Sequence, residues 1–376
     1  MKFILFANTD WYLYNFRRSL AAALREGGHE VVLVSPPGPY GEKLKALGFR
    51  WIPAPMVRRS LNPLRELALL GWLWRLMRSE QPDVVHGFTI KCAVYGALAG
   101  RLVGAGRISA VAGMGFVFTN KALKARLLRP EVRGLMGVAL GGKRARLILQ
   151  NPDDVLFFER ARIMPREQIR LIPGSGVDCT RFLVPVAERT PAKEPLRVVL
   201  AARLLWDKGL GEFVEAARLL KDEGRALQFL LAGAPDPGNP AAVAEQTILA
   251  WQAEGLVQWL GHVDDMPGLL ISADMVVLPS YYGEGLPKTL IEAAACARPL
   301  ITTDMPGCRE VVTHEVDGLL VRARDARALA RAIARLQDDP ALARRLGQAA
   351  REKALAEFDE RIVIARTLAV YDEVIG

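Results

Sequence analysis

Pro279-Ser-Tyr-Tyr-Gly-Glu-Gly-Leu-Pro-Lys-Thr-Leu-Ile-Glu292 passes from the end of an apolar run into a glycine-flanked loop and then into a helical pattern carrying two glutamates eight residues apart. The preceding Ala273-Asp-Met-Val-Val-Leu278 reads as a strand covered on both faces, as in a parallel sheet with helices on each side. Pro287 suits the first turn of the following helix, where its missing N–H costs nothing. Glu284 then falls in the loop and Glu292 on the helix. The amides of Gly285 and Leu286 are expected to point along the helix axis above the strand end, an arrangement that attracts an anion. Two carboxylates beside an anion seat imply a ligand with hydroxyls as well as phosphate. Ribose or sugar O–H groups donate to a carboxylate while N–H groups take the phosphate charge.

Outward from this segment, strand-like and helix-like runs alternate along nearly the whole chain, which calls for α/β architecture with parallel sheets. The strands fall into two sets. The first is Phe3–Ala7, Glu30–Ser35, Arg50–Ile52, Val84–His86, Arg107–Val111 and Val155–Phe158. The second is Leu196–Ala201, Gln228–Ala232, Val257–Leu260, Met275–Leu278, Pro299–Thr302 and Gly318–Leu320. Helices are expected near 15–26, 208–222, 240–254, 287–296 and 326–337, with another from Glu357 to about Tyr371. Val184 to Pro195 carries three prolines and no apolar periodicity, so it reads as a surface connection. The expected domains are 1–181 and 182–356, with a helix over 357–376 packing near the first domain. Two such sheets facing a central cleft would place ligands beyond the carboxyl ends of strands. Thr9 and Asp10, His86, Gly113 to Thr119 with Gly115 among them, Gly174 to Asp178, Arg203 and Tyr281 to Glu284 all fall at such ends.

A chain of 376 residues with 51% hydrophobic composition can build two large cores and is no candidate for disorder. Cys92, Cys179, Cys296 and Cys308 lack zinc-site spacing, and a chain of this size needs no disulfide staples, so a reducing cytoplasm is expected. The start, Met1-Lys-Phe-Ile-Leu-Phe-Ala7, reads as a first strand rather than a signal peptide, and no apolar run approaches the roughly 20 residues of a membrane span. Residues 1–173 hold 27 Lys and Arg against 12 Asp and Glu, a net +15, whereas 174–376 hold 23 against 29, a net −6. The basic half therefore favours an anionic partner. Its cations interleave with large apolar side chains from Leu64 to Arg78 and again over 121–146, which favours an anionic membrane surface over nucleic acid. Within the first of these, Leu67, Leu70, Trp74 and Met77 also recur at the spacing of an ordinary core stripe.

Leu196-Arg-Val-Val-Leu-Ala-Ala-Arg-Leu-Leu-Trp-Asp-Lys-Gly209 ends a strand and throws Arg203 and Lys208 into the turn before a helix, where two cations can clamp a diphosphate. With the Gly285 amide they would stabilise a diphosphate leaving group. Four histidines, no Asp-x-Asp and no clustered ligand spacing argue for a site with no metal and no obligatory cofactor. Arg203 with Lys208, Gly283-Glu-Gly-Leu-Pro287 with Glu284 and Glu292, and Ile172-Pro-Gly-Ser-Gly-Val-Asp178 together resemble the retaining nucleotide-sugar glycosyltransferases of family 4. The resemblance implies a GT-B fold of two Rossmann-like domains, a UDP-sugar donor on the second and an acceptor on the first. It also implies that Arg203 and Lys208 contact the donor diphosphate, Glu284 the transferred sugar and Glu292 the ribose. The reaction it implies is same-face attack, with a donor phosphate oxygen taking the acceptor proton. Ser175 and Lys288-Thr289 depart from common forms of these motifs without removing a charge.

His86-Gly-Phe-Thr-Ile-Lys91 and Val111-Ala-Gly-Met-Gly-Phe-Val-Phe-Thr119 resemble enzymes that extend capsule, O-antigen or protein-glycan precursors on undecaprenyl diphosphate. That likeness implies a lipid-linked saccharide acceptor, with an N-acetylhexosamine among the candidate sugars, and the missing span, basic first half and apolar-cationic mixture add an expected peripheral position on the cytoplasmic face of the inner membrane. At the end of an inferred strand, a neutral His86 could contact the transferred sugar or order the acceptor, Gly113 and Gly115 would let a loop approach the donor closely, and Thr9 is expected on the donor as well. A UDP-sugar epimerase of similar architecture is the competing enzyme, and the two spaced glutamates speak against it. A nucleic-acid-binding protein is the non-enzymatic alternative, and no stacking-rich strand or basic recognition helix supports it.

Overall fold

The computed structural model describes residues 1–58, 60, 62–111, 133–134, 136–182, 195–236, 238–283 and 285–375. They form two compact units, Met1–Gly176 with Glu360–Gly376, and Val177–Asp359.

The first unit is a sheet of seven parallel strands: β1 (Lys2–Phe6), β2 (Glu30–Ser35), β3 (Arg50–Pro53), β4 (Val84–Phe88), β5 (Gly106–Val111), β6 (Ala145–Leu149) and β7 (Ile169–Leu171). Their order is β3-β2-β1-β4-β5-β6-β7. Alternation decides the two faces. Phe3, Leu5, Val31 and Leu33 join one core layer with Leu20 and Leu24 of the helix Arg18–Glu26. Ile4, Phe6, Val32 and Val34 join the opposite layer, under the helix Pro63–Glu80.

The expected strand Val155–Phe158 is instead the centre of a helix, Pro152–Arg160. Asn151 caps it by accepting from the Asp154 amide at 2.8 Å and Pro152 opens it, so the local start signal overrides a short apolar run. The sixth and seventh strands come from segments that carry weak strand signals: β6 contains Arg146, and β7 has three residues. In the helix Pro63–Glu80 the buried stripe is Leu69, Leu73 and Met77, whereas Leu67 is 66% exposed and Leu64 77%. Apolar residues cover so much of this helix that two stripes run through Met77, and periodicity alone does not choose between them.

The last helix, Glu360–Ile375, packs on the first sheet. Val363, Val370, Tyr371 and Val374 enter its core, with the Tyr371 and Phe3 rings 5.1 Å apart. Glu373 receives Arg146 at 2.6 Å and Arg170 at 2.8 Å, and Arg144 donates to the Val374 carbonyl at 2.9 Å. Cations at a helix C-terminus suit its dipole, so three arginines of the basic first half hold the fold together. Glu373 is correspondingly held below the usual carboxylate range, chiefly by its bond from Arg170.

The second unit has six parallel strands: β8 (Leu196–Ala201), β9 (Leu227–Ala232), β10 (Gln258–Gly261), β11 (Met275–Leu278), β12 (Leu300–Thr303) and β13 (Leu319–Val321). They lie in the order β10-β9-β8-β11-β12-β13. A helix over Pro340–Lys353, which sequence reading did not anticipate, is capped by Asp339 through the Leu342 amide at 2.9 Å. Strand order reverses between β8 and β11 here, and between β1 and β4 in the first unit. In doubly wound sheets those reversals open the crevices where ligands bind.

Candidate active site

At the β8/β11 reversal the two segments singled out in the sequence are brought together by backbone chemistry. The chain leaves β8 through Arg203 and makes a short turn over Trp206–Lys208. Gly209, at φ +77°, then opens the helix Leu210–Asp222. A Cβ on Gly209 would stand 2.7 Å from the Pro279 carbonyl carbon and closer still to its oxygen, so only glycine allows this approach to the end of β11. The Asp207 carbonyl accepts from the Tyr281 amide at 3.1 Å and from the Ser280 hydroxyl at 3.0 Å. Thr303, at the end of β12, ties in by donating its hydroxyl to the Ser280 carbonyl. Lys208 therefore sits on a turn fixed directly to the first residues of the 279–292 segment.

Arg203 is exposed, and its Nη1 lies 3.1 Å from Asp236 Oδ2, in the loop after β9. Asp236 holds the guanidinium at the strand ends, a partner that sequence reading missed although Gly233-Ala-Pro-Asp reads as a loop. Glu284 lies outside the described residues. The helix beyond it runs from Lys288 to Ala295, with Pro287 at its N-cap rather than in its first turn. Gly285 and Leu286 accordingly precede the helix instead of opening it. Its first backbone bonds are donated by Leu290 and Ile291 to the Pro287 carbonyl. The Lys288 and Thr289 amides thus stand ahead of the helical ladder, where an N-terminus attracts negative charge.

Glu292 is 9% exposed on a helix whose residues Leu290 to Ala295 are all buried. Burial raises its carboxyl above the usual range, against the opposing pull of Lys288 and Arg181. Lys288 Nζ lies 3.5 Å from Glu292 Oε1. A lysine at the first position of a helix opposes the dipole, so its place there makes sense beside anionic groups. At the end of β13, Arg324 adopts φ +62° and lays its guanidinium 4.3 Å from the centre of the Tyr281 ring. Neither the Lys288 pairing nor Arg324 was read from the sequence.

In the first unit, Thr9 caps the turn after β1 by accepting from the Tyr12 amide at 3.1 Å. Neighbouring Asp10 is buried and accepts from the Tyr40 and Gly41 amides at 2.6 and 2.9 Å, pinning the loop after β2. β4 extends to Phe88, so His86 lies inside the strand rather than at its end. It is 1% exposed, with Nδ1 2.7 Å from the Tyr371 hydroxyl. Burial, reinforced by Arg17, holds its pKa well below the ordinary value, so the ring is neutral. Gly113 and Gly115 lie outside the described residues, as does most of the second basic stretch.

Residues 15–174 match the family described as Glycosyl transferase 4-like domain, and residues 187–353 match Glycosyl transferases group 1. A Campylobacter jejuni N,N'-diacetylbacillosaminyl-diphospho-undecaprenol alpha-1,3-N-acetylgalactosaminyltransferase is 30% identical over 375 residues, covering 96% of each chain. The chain belongs to the GT-B glycosyltransferases of family 4 type. An Escherichia coli UDP-Gal:alpha-D-GlcNAc-diphosphoundecaprenol alpha-1,3-galactosyltransferase is 27% identical, over 75% of this chain and 73% of the relative. The structure of Anabaena HepE in complex with UDP and glucose shares the fold with a TM-score of 0.80 at 19% identity, covering 98% of this chain and 99% of that one. Of the motif segments of this glycosyltransferase, the Lys208 turn and the start of 279–292 are joined at the β8/β11 reversal. Among the described residues no group of three or more His, Cys, Asp or Glu side chains converges as a metal-ligand set.

Proposed function

We propose that this glycosyltransferase moves a sugar, an N-acetylhexosamine, from a UDP-sugar to a saccharide carried on undecaprenyl diphosphate, with retention of anomeric configuration. The observation that carries the reading is the joining of the Lys208 turn to the 279–292 segment at the β8/β11 reversal. Its strongest support on substrate class is the C. jejuni relative, similar end to end, whose name specifies an undecaprenol-diphosphate-linked acceptor. In this reading the second domain holds the donor. Arg203 and Lys208 neutralise the diphosphate as the glycosidic C–O bond breaks, Glu292 accepts from the ribose hydroxyls, and Glu284 contacts the transferred sugar. A donor phosphate oxygen takes the acceptor proton, so no general base is assigned.

The first domain meets the acceptor at a membrane surface. Among the described residues no helix is long and apolar enough to cross a bilayer. The helix Pro63–Glu80 instead exposes Leu64 and Leu67 together with Arg65, Arg75 and Arg78. Apolar and cationic side chains on one exposed face suit the anionic interface of the cytoplasmic leaflet. The deciding experiment is a donor-by-acceptor screen with lipid-linked monosaccharides, the product's linkage and anomer read by NMR. An inverted product, or epimerised nucleotide sugar without transfer, would retire the proposal. Flotation with anionic vesicles tests the membrane face, with duplex and single-stranded nucleic acid as the competing ligands.

A further inference from the structure

Arg17 is 5% exposed, in a five-residue π-helical turn over Leu13–Arg17 beside the β1/β4 reversal of the first unit. π-Helical turns are uncommon and concentrate at functional positions. The guanidinium donates to the Tyr12 hydroxyl at 2.9 Å and lies 4.4 Å from the centre of the Phe88 ring, against which His86 also packs at 4.0 Å. Among the described residues no carboxylate pairs with Arg17, and its Nε has no hydrogen-bond partner. His86 Nε2, equally buried, is the second orphan in this cluster. A permanently charged group removed from water without a counter-ion is strongly disfavoured, and structural arginines are rarely left so. Aromatic faces and one phenol do not neutralise it. Asp10, seven residues earlier, turns its oxygens to the Trp11, Tyr40 and Gly41 amides, and among the described residues no ion pair joins it to Arg17.

We propose that Arg17 is a phosphate-binding residue of the first domain, its missing counter-ion being a phosphate oxyanion of a substrate. Resting on the function proposed above, that oxyanion comes either from the nucleotide diphosphate or from the diphosphate of the lipid-linked acceptor. The planar fork of arginine matches two phosphate oxygens at once, which a lysine cannot.

The test uses the full chain with Arg17→Met, which keeps the apolar stem, and Arg17→Lys. Without ligand, Arg17→Met unfolds at the same or a higher temperature than the wild type, since it deletes an unpaired buried charge. Pyrophosphate raises the unfolding temperature of the wild type more than that of Arg17→Met, whose remaining shift comes from the Arg203 and Lys208 clamp. A fall of ~10- to 100-fold in UDP affinity by calorimetry, with unchanged KM for the lipid-linked acceptor, assigns the nucleotide as the source. The same factor in acceptor KM with unchanged UDP affinity assigns the lipid diphosphate. Arg17→Lys falls between wild type and Arg17→Met, and carries the same arms if the methionine variant does not fold. An Arg17→Met protein that keeps UDP affinity, acceptor KM and the full pyrophosphate shift overturns the proposal, whatever its unfolding temperature. A wild type inactive on every lipid-linked acceptor would retire the transfer reading while leaving the UDP and pyrophosphate arms to judge Arg17.

Discussion

Gly209→Ala tests whether the turn carrying Lys208 and the 279–292 segment act as one seat. Two costs are legible in the structure. The backbone at φ +77° is left-handed, which for an alanine costs roughly 1–2 kcal/mol. The new Cβ would also meet the Pro279 carbonyl group, which belongs to the end of a buried strand and cannot swing aside, adding about 1–3 kcal/mol of overpacking. Together these give about 2–5 kcal/mol, which for a unit of this size lowers the unfolding temperature by roughly 4–20 °C. Relief of the clash must move the turn away from Pro279 and loosen the bonds from Ser280 and Tyr281 to the Asp207 carbonyl. A displacement of even about 1 Å at a reacting centre costs on the order of 100-fold in rate. Gly224→Ala is the control, because Gly224 has φ +72° but open space where a Cβ would stand. It shares the backbone cost and lacks the clash, so it loses some stability and keeps UDP affinity. Scanning fluorimetry and UDP calorimetry on both variants separate the effects. If Gly209→Ala matches Gly224→Ala in both measurements, the coupling argued from the Pro279 approach is wrong.

Arg203→Ala lowers kcat/KM by ~100-fold or more, the scale of losing a strong transition-state donor, and unchanged turnover with a verified acceptor would contradict the clamp. Glu292→Gln weakens UDP binding by about 1–3 kcal/mol through loss of charge-assisted bonds, measured by calorimetry. Because burial raises the Glu292 carboxyl above its ordinary 4.5, the folded protein binds more protons than the unfolded chain just above that pH. Wild-type stability without ligand therefore falls as pH rises through this window, while UDP affinity rises. Glu292→Gln flattens both profiles, and Lys288→Met moves the window to higher pH; profiles unmoved by either variant would count against the pair. Activity survives EDTA treatment and assay in metal-free buffer, and loss restored by Mg²⁺ or Mn²⁺ would show that the basic clamp does not suffice.

Most of the two sheets was legible because a strand covered on both faces must be apolar along its whole length. Ile4, Val32, Val276 and Ile301 announce themselves without any knowledge of their neighbours. The failures came where a local signal and a tertiary one compete. Val155–Phe158 is apolar enough for a strand, but Asn151 and Pro152 start a helix one turn earlier and settle the matter. β6 runs through Arg146, whose charge suggests a surface; the last helix supplies Glu373 as its partner from 227 residues away in sequence, a pairing no local window contains.

At the candidate site, residue types were legible and their partners were not. The Lys208 turn and the 279–292 segment could each be read as strand-end loops, yet their joining depends on Gly209 meeting Pro279, an approach that sequence spacing does not encode. Arg203 was read as a cation for a ligand, and the structure adds that Asp236 already holds it. In the proposed donor site a diphosphate would compete with this carboxylate for the guanidinium, so the same contact that orders Arg203 would temper its attraction for phosphate. Glu292 shows the complementary case, a buried carboxylate whose only contacting cation within its own helix is Lys288. Lys288 pulls against the rise that burial imposes on this carboxyl, so here the partner favours the ionised acceptor that ribose hydroxyls would use. On that reasoning Asp236→Asn tightens the grip of Arg203 on phosphate and Lys288→Met loosens the hold on ribose, two opposite effects of removing one charge from each pair.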